Sequence, residues 1–519
     1  MGKSPPGKCG QFPYLINVVV THYVMAQSAF SLTRPNSGQF WMYSLLGALY
    51  SVGMGYLVSR MGPLGAGVAI LLPIGLVIMI VLMMEPRFGL FLYLHLSFIV
   101  GLTRFFPVEF PVGLLIDGVL ALTLVSTLVN GSRMEWRGMR SPAFALVTIW
   151  FVYTLIELLN PEAPYRPAWF FHVRPFSMHW FFAACIVLVT PITRNDIRIM
   201  VNSWLGWSFL AALWAFKQQY IGLTTNETIW LNSGNNAVTH LLFGQLRSFS
   251  FYSDAAQFGG EMAGVTVVAV IRVFEEKKLL HKLFFLALAL VYFWGYAVSG
   301  TRSALFVMLA GFPFYLLLKR DFLKLAIGVV MAVPLVLLLL YTSVGSSNYQ
   351  VQRMRSALTP MNDPSFILRL QNQQKLKGYL SHYPFGAGIG TSTDMGARFS
   401  PWHWAAQTPP DSWYVELWIE TGQVGLTLYI LMILGLVGLG VWRVWQLKDP
   451  WLIKIMYAFL AEFVGMAVMA YSNPVLGQFP TDTIIFISTM LIVTCYRWDI
   501  RPVNQPSDVT LQKLPTLQL

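Results

Sequence analysis

Apolar runs long enough to cross a bilayer recur along nearly the whole of this chain, and that recurrence decides what it can fold into. A hydrocarbon core about 30 Å thick takes roughly 20 predominantly apolar residues per helix, and somewhat fewer where flanking side chains snorkel. By that measure about fourteen runs qualify: 40–59, 63–84, 89–102, 112–129, 143–159, 176–189, 199–216, 258–273, 283–298, 303–318, 322–341, 425–442, 451–471 and 483–496. The fold class this implies is an all-α integral membrane protein, a polytopic helical bundle. Composition agrees, because 56% of the 519 residues are hydrophobic and only 11% are charged, against roughly 25% in soluble domains. Mean hydropathy is +0.58. The run 14–30 is interrupted by His22 and Gln27 and is expected to lie in the membrane interface.

The formal net charge is +12, but most Lys and Arg sit in short loops between apolar runs, where they set orientation rather than bind nucleic acid. One set of alternate loops holds Arg133, Arg137 and Arg140; Arg194 and Arg198; Arg272, Lys277, Lys278 and Lys282. It continues with Lys319, Arg320 and Lys324; Arg443, Lys448 and Lys454; and Arg497 and Arg501 in the tail. This set is expected to be cytoplasmic. Lys3 and Lys8 are followed by no short apolar core with a cleavage site, so the N-terminal segment is expected to be retained and cytoplasmic. The outer side then receives two long connections and the short turn at Arg302. The expected organisation is an N-terminal cytoplasmic or interfacial segment (1–39), an N-terminal bundle (40–217), an outer loop (218–257), central helices (258–341), a large outer loop domain (342–424), C-terminal helices (425–497) and a polar, disordered cytoplasmic tail (498–519).

The loop domain between the spans near 322–341 and 425–442 carries Trp402, Trp404, Trp413 and Trp418 among glycines and prolines, which suits a folded unit rather than a linker. Long loops in compact proteins are usually functional. Leu368, Leu376 and Leu380 recur at helical spacing, predicting a helix over 369–380 that breaks at the glycine-rich stretch 382–390.

Three isolated charges stand where apolar runs reach water. Arg302, in Ser299-Gly300-Thr301-Arg302-Ser303, is either a snorkelling helix end or a ligand site, and intramembrane charge defaults to function. Arg247, in Leu246-Arg247-Ser248, either pairs with Asp254 or binds phosphate through its planar fork. Asp411, in Pro409-Pro410-Asp411-Ser412, either caps a helix or acts as a general base on a sugar hydroxyl. Tyr252, Asp254, Ser303, Ser412, Trp413 and His403 are the neighbouring substrate-binding candidates; Glu416 and Glu420 are acids of lower rank, and His382 reads as a surface residue. Glu157, Glu261, Glu462 and Asp482 are scattered, no His pair has zinc spacing, and Cys9, Cys185 and Cys495 lie far apart. No metal, cofactor or disulfide is expected.

Taken in order, the Arg247 segment, Ser-Gly-Thr-Arg302-Ser-Ala, Arg369 with Pro384-Phe385-Gly386-Ala387-Gly388-Ile389-Gly390, and 411–422 with Gly425 resemble the O-antigen ligase and polymerase family of bacterial envelope glycosyltransferases, over roughly 245–439. The resemblance implies a bundle of class C glycosyltransferase type in the bacterial inner membrane, with a periplasmic site. It implies a donor oligosaccharide on undecaprenyl pyrophosphate and a lipid or glycan acceptor, as in lipopolysaccharide or exopolysaccharide assembly alongside other polysaccharide-assembly proteins. Arg247 and Arg302 match the family's pyrophosphate-binding arginines, and Arg369 matches a basic residue heading the loop helix. Where the family has His-Asn, this chain has Asp411-Ser412, so Asp411 is expected to replace the histidine as base. The implied activity is metal-independent, inverting transfer, with polymerase slightly preferred to ligase. A flippase for lipid-linked sugars and a non-catalytic export component are the rival expectations.

Overall fold

The computed structural model describes residues 37–105, 112–234, 236–242, 244–343 and 364–499, with a few isolated positions between 345 and 361. The 14–30 run, nearly all of the expected N-terminal segment, most of 344–363 and the tail from 500 onward lie outside the described residues. The chain divides into two units, 1–80 and 81–519. In the first, α1 (Ser37–Met61) is followed by the start of α2 (Pro63–Met84).

The second unit carries the rest: α3 (Pro86–Leu102), α4 (Val112–Val129), α5 (Pro142–Ile156), α6 (Ala168–Val173), α7 (His179–Val189), α8 (Arg194–Phe216), α9 (Thr225–Leu231) and α10 (Asn236–His240). A two-residue hairpin follows, β1 (Leu241–Leu242) with β2 (Gln245–Leu246), Leu241 opposite Leu246. Then come α11 (Ala255–Glu275), α12 (Leu279–Ser299), α13 (Leu305–Leu318), α14 (Phe322–Tyr341), α15 (Pro364–Leu380), α16 (Thr393–Phe399), α17 (Trp413–Gln446), α18 (Pro450–Met469) and α19 (Thr481–Val493).

The apolar runs from residue 40 onward lie largely on helices, as they must where no water can satisfy a free backbone amide. Among the described residues, nine helices are long and apolar enough to cross a membrane by length and composition, and Pro86–Leu102, Leu305–Leu318, Phe322–Leu338 and Thr481–Val493 are shorter apolar helices. The chain is an all-α membrane protein. The helix expected over 369–380 begins five residues earlier, at Pro364. Helix α17 also starts well before its apolar run: 413–421 is helical and joins the span through a break at Gly422 (φ 65°, ψ −169°). The connection 218–257 holds α9, α10 and the hairpin rather than bare loop.

Helix α11 is the axis of the second unit, packed against α12, α13 and α18. Small residues let these backbones approach, as in other membrane bundles. A Cβ on Gly259 would come within 2.3 Å of Ser299 Oγ and 2.8 Å of Thr301 Cβ, and one on Gly465 would stand 2.6 Å from Val307 O. Two polar clamps complete the frame. Asp117 on α4 accepts from Arg174 Nη1 (2.8 Å) and from His179 Nε2 (2.7 Å), bridging the π-turn Arg174–Met178 between α6 and α7. At the far end of α11, Glu276 accepts from Arg272 Nη2 (2.5 Å) and Lys454 Nζ (2.7 Å), and Glu275 from Lys319 (2.5 Å). The N-terminal ends of α11, α13 and α17 and the C-terminal end of α12 therefore lie together at the end opposite these basic clamps.

Gly259→Val forces the α12–α13 turn away from α11. It is expected to cost about 1–3 kcal/mol, the usual range for overpacking, measured as a lower unfolding temperature in detergent; an unchanged temperature would contradict this close approach.

Candidate active site

The α12–α13 turn is built around two small polar residues. Gly300 adopts φ 58° to end α12, Thr301 Oγ1 donates to Ala255 O (2.8 Å), and Ser299 Oγ donates to Tyr296 O (2.7 Å). Arg247 grips this turn. Its Nε donates to Ser299 O (3.0 Å), Nη2 to Thr301 Oγ1 (3.0 Å) and Nη1 to Thr239 O (2.8 Å). The backbone supports it, with Arg247 N bonded to His240 O (2.8 Å) and Ser248 N to Val298 O (3.1 Å).

Further back, Gln218 Oε1 accepts from Phe249 N and Ser250 N (3.2 and 2.9 Å), and Gln219 Nε2 donates to Leu246 O (2.9 Å) and Ser248 Oγ (2.8 Å). Glu227 anchors Gln218 in turn, accepting from its Nε2 (2.8 Å), from Trp214 Nε1 (2.9 Å), from Thr224 N (2.6 Å) and from Lys217. Burial alone would raise the Glu227 carboxyl, but the bonds from Lys217, Thr224, Gln218 and Trp214 hold it below its ordinary value.

A cavity of about 640 Å³ opens over the turn and gathers Arg247, Arg302, Arg369, Asp254, Asp394 and Asp411. Ser303 lines it too, its Oγ accepting from Asn473 Nδ2. Arg369 Nε lies 3.8 Å from Asp411 Oδ2, with side chains 33% and 41% exposed, so both are within reach of a ligand. The cavity meets the N-terminal ends of α11 and α13, where helix dipoles favour anions. Asp254 is committed to the scaffold: it is the N-cap of α11, accepting from Ala256 N (2.6 Å) and Gln257 N (2.9 Å). Asp411 is not a cap. Ser412 caps α17, accepting from Val415 N (3.4 Å), and Asp411 sits just outside the helix at φ 53°. A non-glycine residue in that left-handed region costs free energy, and such strain gathers at functional positions.

The remaining candidates lie elsewhere. Tyr252 is buried with its ring 5.6 Å from Phe258, Trp413 is buried 5.0 Å from Phe176, and Ser412 Oγ, besides capping, donates to Ala470 O (3.3 Å). His403 packs on Trp404 (5.3 Å) and accepts from Ala405 N (3.3 Å); burial lowers its basicity. None of these four lines the cavity. Two titratable residues lining the cavity were not singled out in the sequence, Asp394 and His240. His240 is spoken for by the backbone: its Nε2 accepts from Ala255 N (3.2 Å), which puts the proton on Nδ1, toward Asn236 O (2.9 Å).

The lower-ranked acids acquire a partner that spacing did not suggest. His172 Nε2 on α6 stands 3.0 Å from Glu416 Oε1 and 3.5 Å from Glu420 Oε2. These three have the mutual proximity of metal ligands, but both Glu420 oxygens already accept from Gly390 N, Ser392 N and Ser392 Oγ (3.0, 3.0 and 2.7 Å). Their arrangement suits an ionic pin under the glycine-rich stretch.

Glu227→Gln deprives Lys217 of its buried counter-charge and is expected to cost about 3 kcal/mol, the scale for breaking a buried pair. Because the folded carboxyl is depressed, its contribution is complete above the ordinary value of about 4.3 and is lost as pH falls through the lower folded value. Wild-type and variant unfolding temperatures should therefore converge on acidification, and a gap that stays constant down to the lowest pH tolerated would refute the assignment.

The family model described as O-antigen ligase matches residues 284–430, from within α12 to the upper part of α17. No curated protein matches the chain. The matched stretch contains Arg302, Arg369, Asp394 and Asp411, so most of the charged lining of the cavity comes from it, while Arg247 is supplied from outside. Over these residues, within a helical membrane architecture, the chain is similar to the O-antigen ligase family.

Proposed function

We propose that this membrane glycosyltransferase of O-antigen ligase or polymerase type takes its oligosaccharide from undecaprenyl pyrophosphate and works at the periplasmic face of the bacterial inner membrane. The observation that carries this reading is a single cavity in which three guanidinium groups face a carboxylate on a strained backbone. Guanidinium groups match phosphate oxygens with paired N–H donors and hold their charge at any physiological pH. A diphosphate leaving group needs that match most as its bond breaks, when charge builds on the departing oxygen.

The reaction is a direct displacement. The Asp411 carboxylate takes the proton of the acceptor hydroxyl, and the freed oxygen forms its bond to the anomeric carbon on the side opposite the diphosphate. The bond from that carbon to the phosphate oxygen breaks, and its electron pair leaves with the diphosphate, where Arg247 and Arg302 take up the charge. One displacement inverts the anomeric centre. Arg369, 3.8 Å from Asp411, orients the base and adds to the positive lining. With two guanidinium groups on the departing diphosphate, the step runs without a metal ion. The helices of about fourteen spans, in a class C arrangement, flank the polyprenyl chain.

Orientation rests on charge. The end of α11 remote from the cavity carries the clamps Arg272–Glu276–Lys454 and Lys319–Glu275, and Arg443 and Lys448 follow at the foot of α17. Basic residues near span ends favour the cytoplasm. The two natural cysteines described, Cys185 and Cys495, are buried, so with Cys9 replaced by serine, exposed Ala397 and Lys448 offer clean positions. Ala397→Cys is expected to react with a membrane-impermeant thiol reagent in intact cells, and Lys448→Cys only after permeabilisation. The opposite pattern would invert the orientation.

Arg302→Ala and Asp411→Ala are each expected to reduce product at least about 100-fold, the scale for removing one transition-state partner, with protein in the membrane at normal level. Asp411→His should keep part of the activity. The assay uses purified protein and lipid-linked repeat units: a ladder of products marks a polymerase, the preferred outcome, and a single addition to a core lipid marks a ligase. Full activity in both alanine variants would overturn the function.

A further inference from the structure

Of the cavity's three carboxylates, two are accounted for: Asp254 caps α11, and Asp411 faces Arg369. The third, Asp394, is exposed into the cavity, and among the described residues no hydrogen bond or ion pair engages its carboxylate. Its backbone is nonetheless held firmly. Thr393, the residue before it, is β-branched yet sits at φ 52°, a conformation that persists only where the surroundings over-determine it.

Those surroundings are a clamp from both sides. Ala387 N and Gly388 N donate to Ile419 O and Glu420 O on α17 (2.8 and 3.0 Å). The Glu420 carboxylate, fully buried, takes the three donors of Gly390 and Ser392. On the other flank a Cβ on Gly390 would stand 2.8 Å from the Ala168 backbone of α6, and His172, one turn along that helix, sits between Glu416 and Glu420. Residue 392 is thus bonded directly to a buried acid, and Asp394 is two residues further on.

We propose that Asp394 is the acceptor-side carboxylate of this site, accepting hydrogen bonds from hydroxyls of the incoming sugar, and that Glu420 is its positioning residue. The inference rests on the function proposed above. Electrostatics chooses the side: a carboxylate with no direct ion pair among the described residues, whose charge interacts with the buried His172 rather than with a cavity arginine in contact, repels the donor's diphosphate, but sugar hydroxyls donate to it in short, charge-assisted bonds. The donor's phosphates keep to Arg247 and Arg302, and the acceptor is drawn to the acid. Asp394 then orients the glycan while Asp411 takes the proton.

The experiment uses the full chain in nanodiscs, with a short-chain polyprenyl pyrophosphate oligosaccharide as donor and an alkyl glycoside of the same repeat unit as acceptor, which lacks a diphosphate and cannot donate. Asp394→Asn is expected to raise KM for the alkyl glycoside about tenfold or more, with donor KM within about twofold and kcat within about threefold of wild type. Asp394→Glu should recover part of the loss. Glu420→Gln should move acceptor KM in the same direction with donor KM unchanged, a split that general loosening of the fold would not give. An unchanged acceptor KM in Asp394→Asn, or a shift confined to donor KM, overturns the inference. If Arg302→Ala is inactive at the same time, the proposed function survives that failure. Retained transfer in Arg302→Ala overturns the function and this inference with it.

Discussion

The bonds from the Arg247 guanidinium to Ser299 O and Thr301 Oγ1 join the parts of the molecule that must meet for the site to exist. One side is a hairpin connection that could drape anywhere over the bundle; the other is the tight turn carrying Arg302. A cation laid on the carbonyl end of α12 is favoured by that helix's dipole as well as by the bonds themselves. It draws a second cation to the same mouth despite their repulsion. Gly259 makes the arrangement possible from below, since only a residue without a side chain lets Ser299 and Thr301 settle onto α11.

A second anchor works from the opposite wall. Glu420 is buried, accepts from two backbone amides and a hydroxyl, and lies beside His172. Buried carboxylates are costly unless their oxygens are satisfied, and here the donors come from the glycine-rich stretch that leads to Asp394. Scaffold and chemistry are separated at this wall: the buried Glu420 holds backbone, and the exposed Asp394 and Asp411 face the cavity.

Much of this was legible before any coordinates. The helices were readable because a bilayer leaves a chain few alternatives, and Arg247, Arg302, Arg369 and Asp411 drew notice because isolated charge is conspicuous in an apolar chain; the cavity brings these four together. What was not legible depended on contacts remote in sequence. Nothing near Glu420 announces His172, almost 250 positions earlier, and Asp394 gains its interest only from where Glu420 holds the chain. Trp413 is a substrate-binding candidate in a loop crowded with tryptophans, yet α17 starts there and turns the ring inward against Phe176. Of the two readings of Asp411, capping passes to Ser412 for a local reason: the backbone enters α17 one residue later than the Pro-Pro-Asp pattern suggests, leaving the hydroxyl to cap.

The break at Gly422 has a mechanical corollary. Pro384 O accepts from Val424 N beyond the break, while Ala387 and Gly388 bond to Ile419 and Glu420 before it, so the loop straps both sides of the discontinuity like a splint. Force applied to the stretch 384–388 is therefore delivered to one backbone position that only glycine adopts without strain. The lipid-embedded lower length of α17 is insulated from that load.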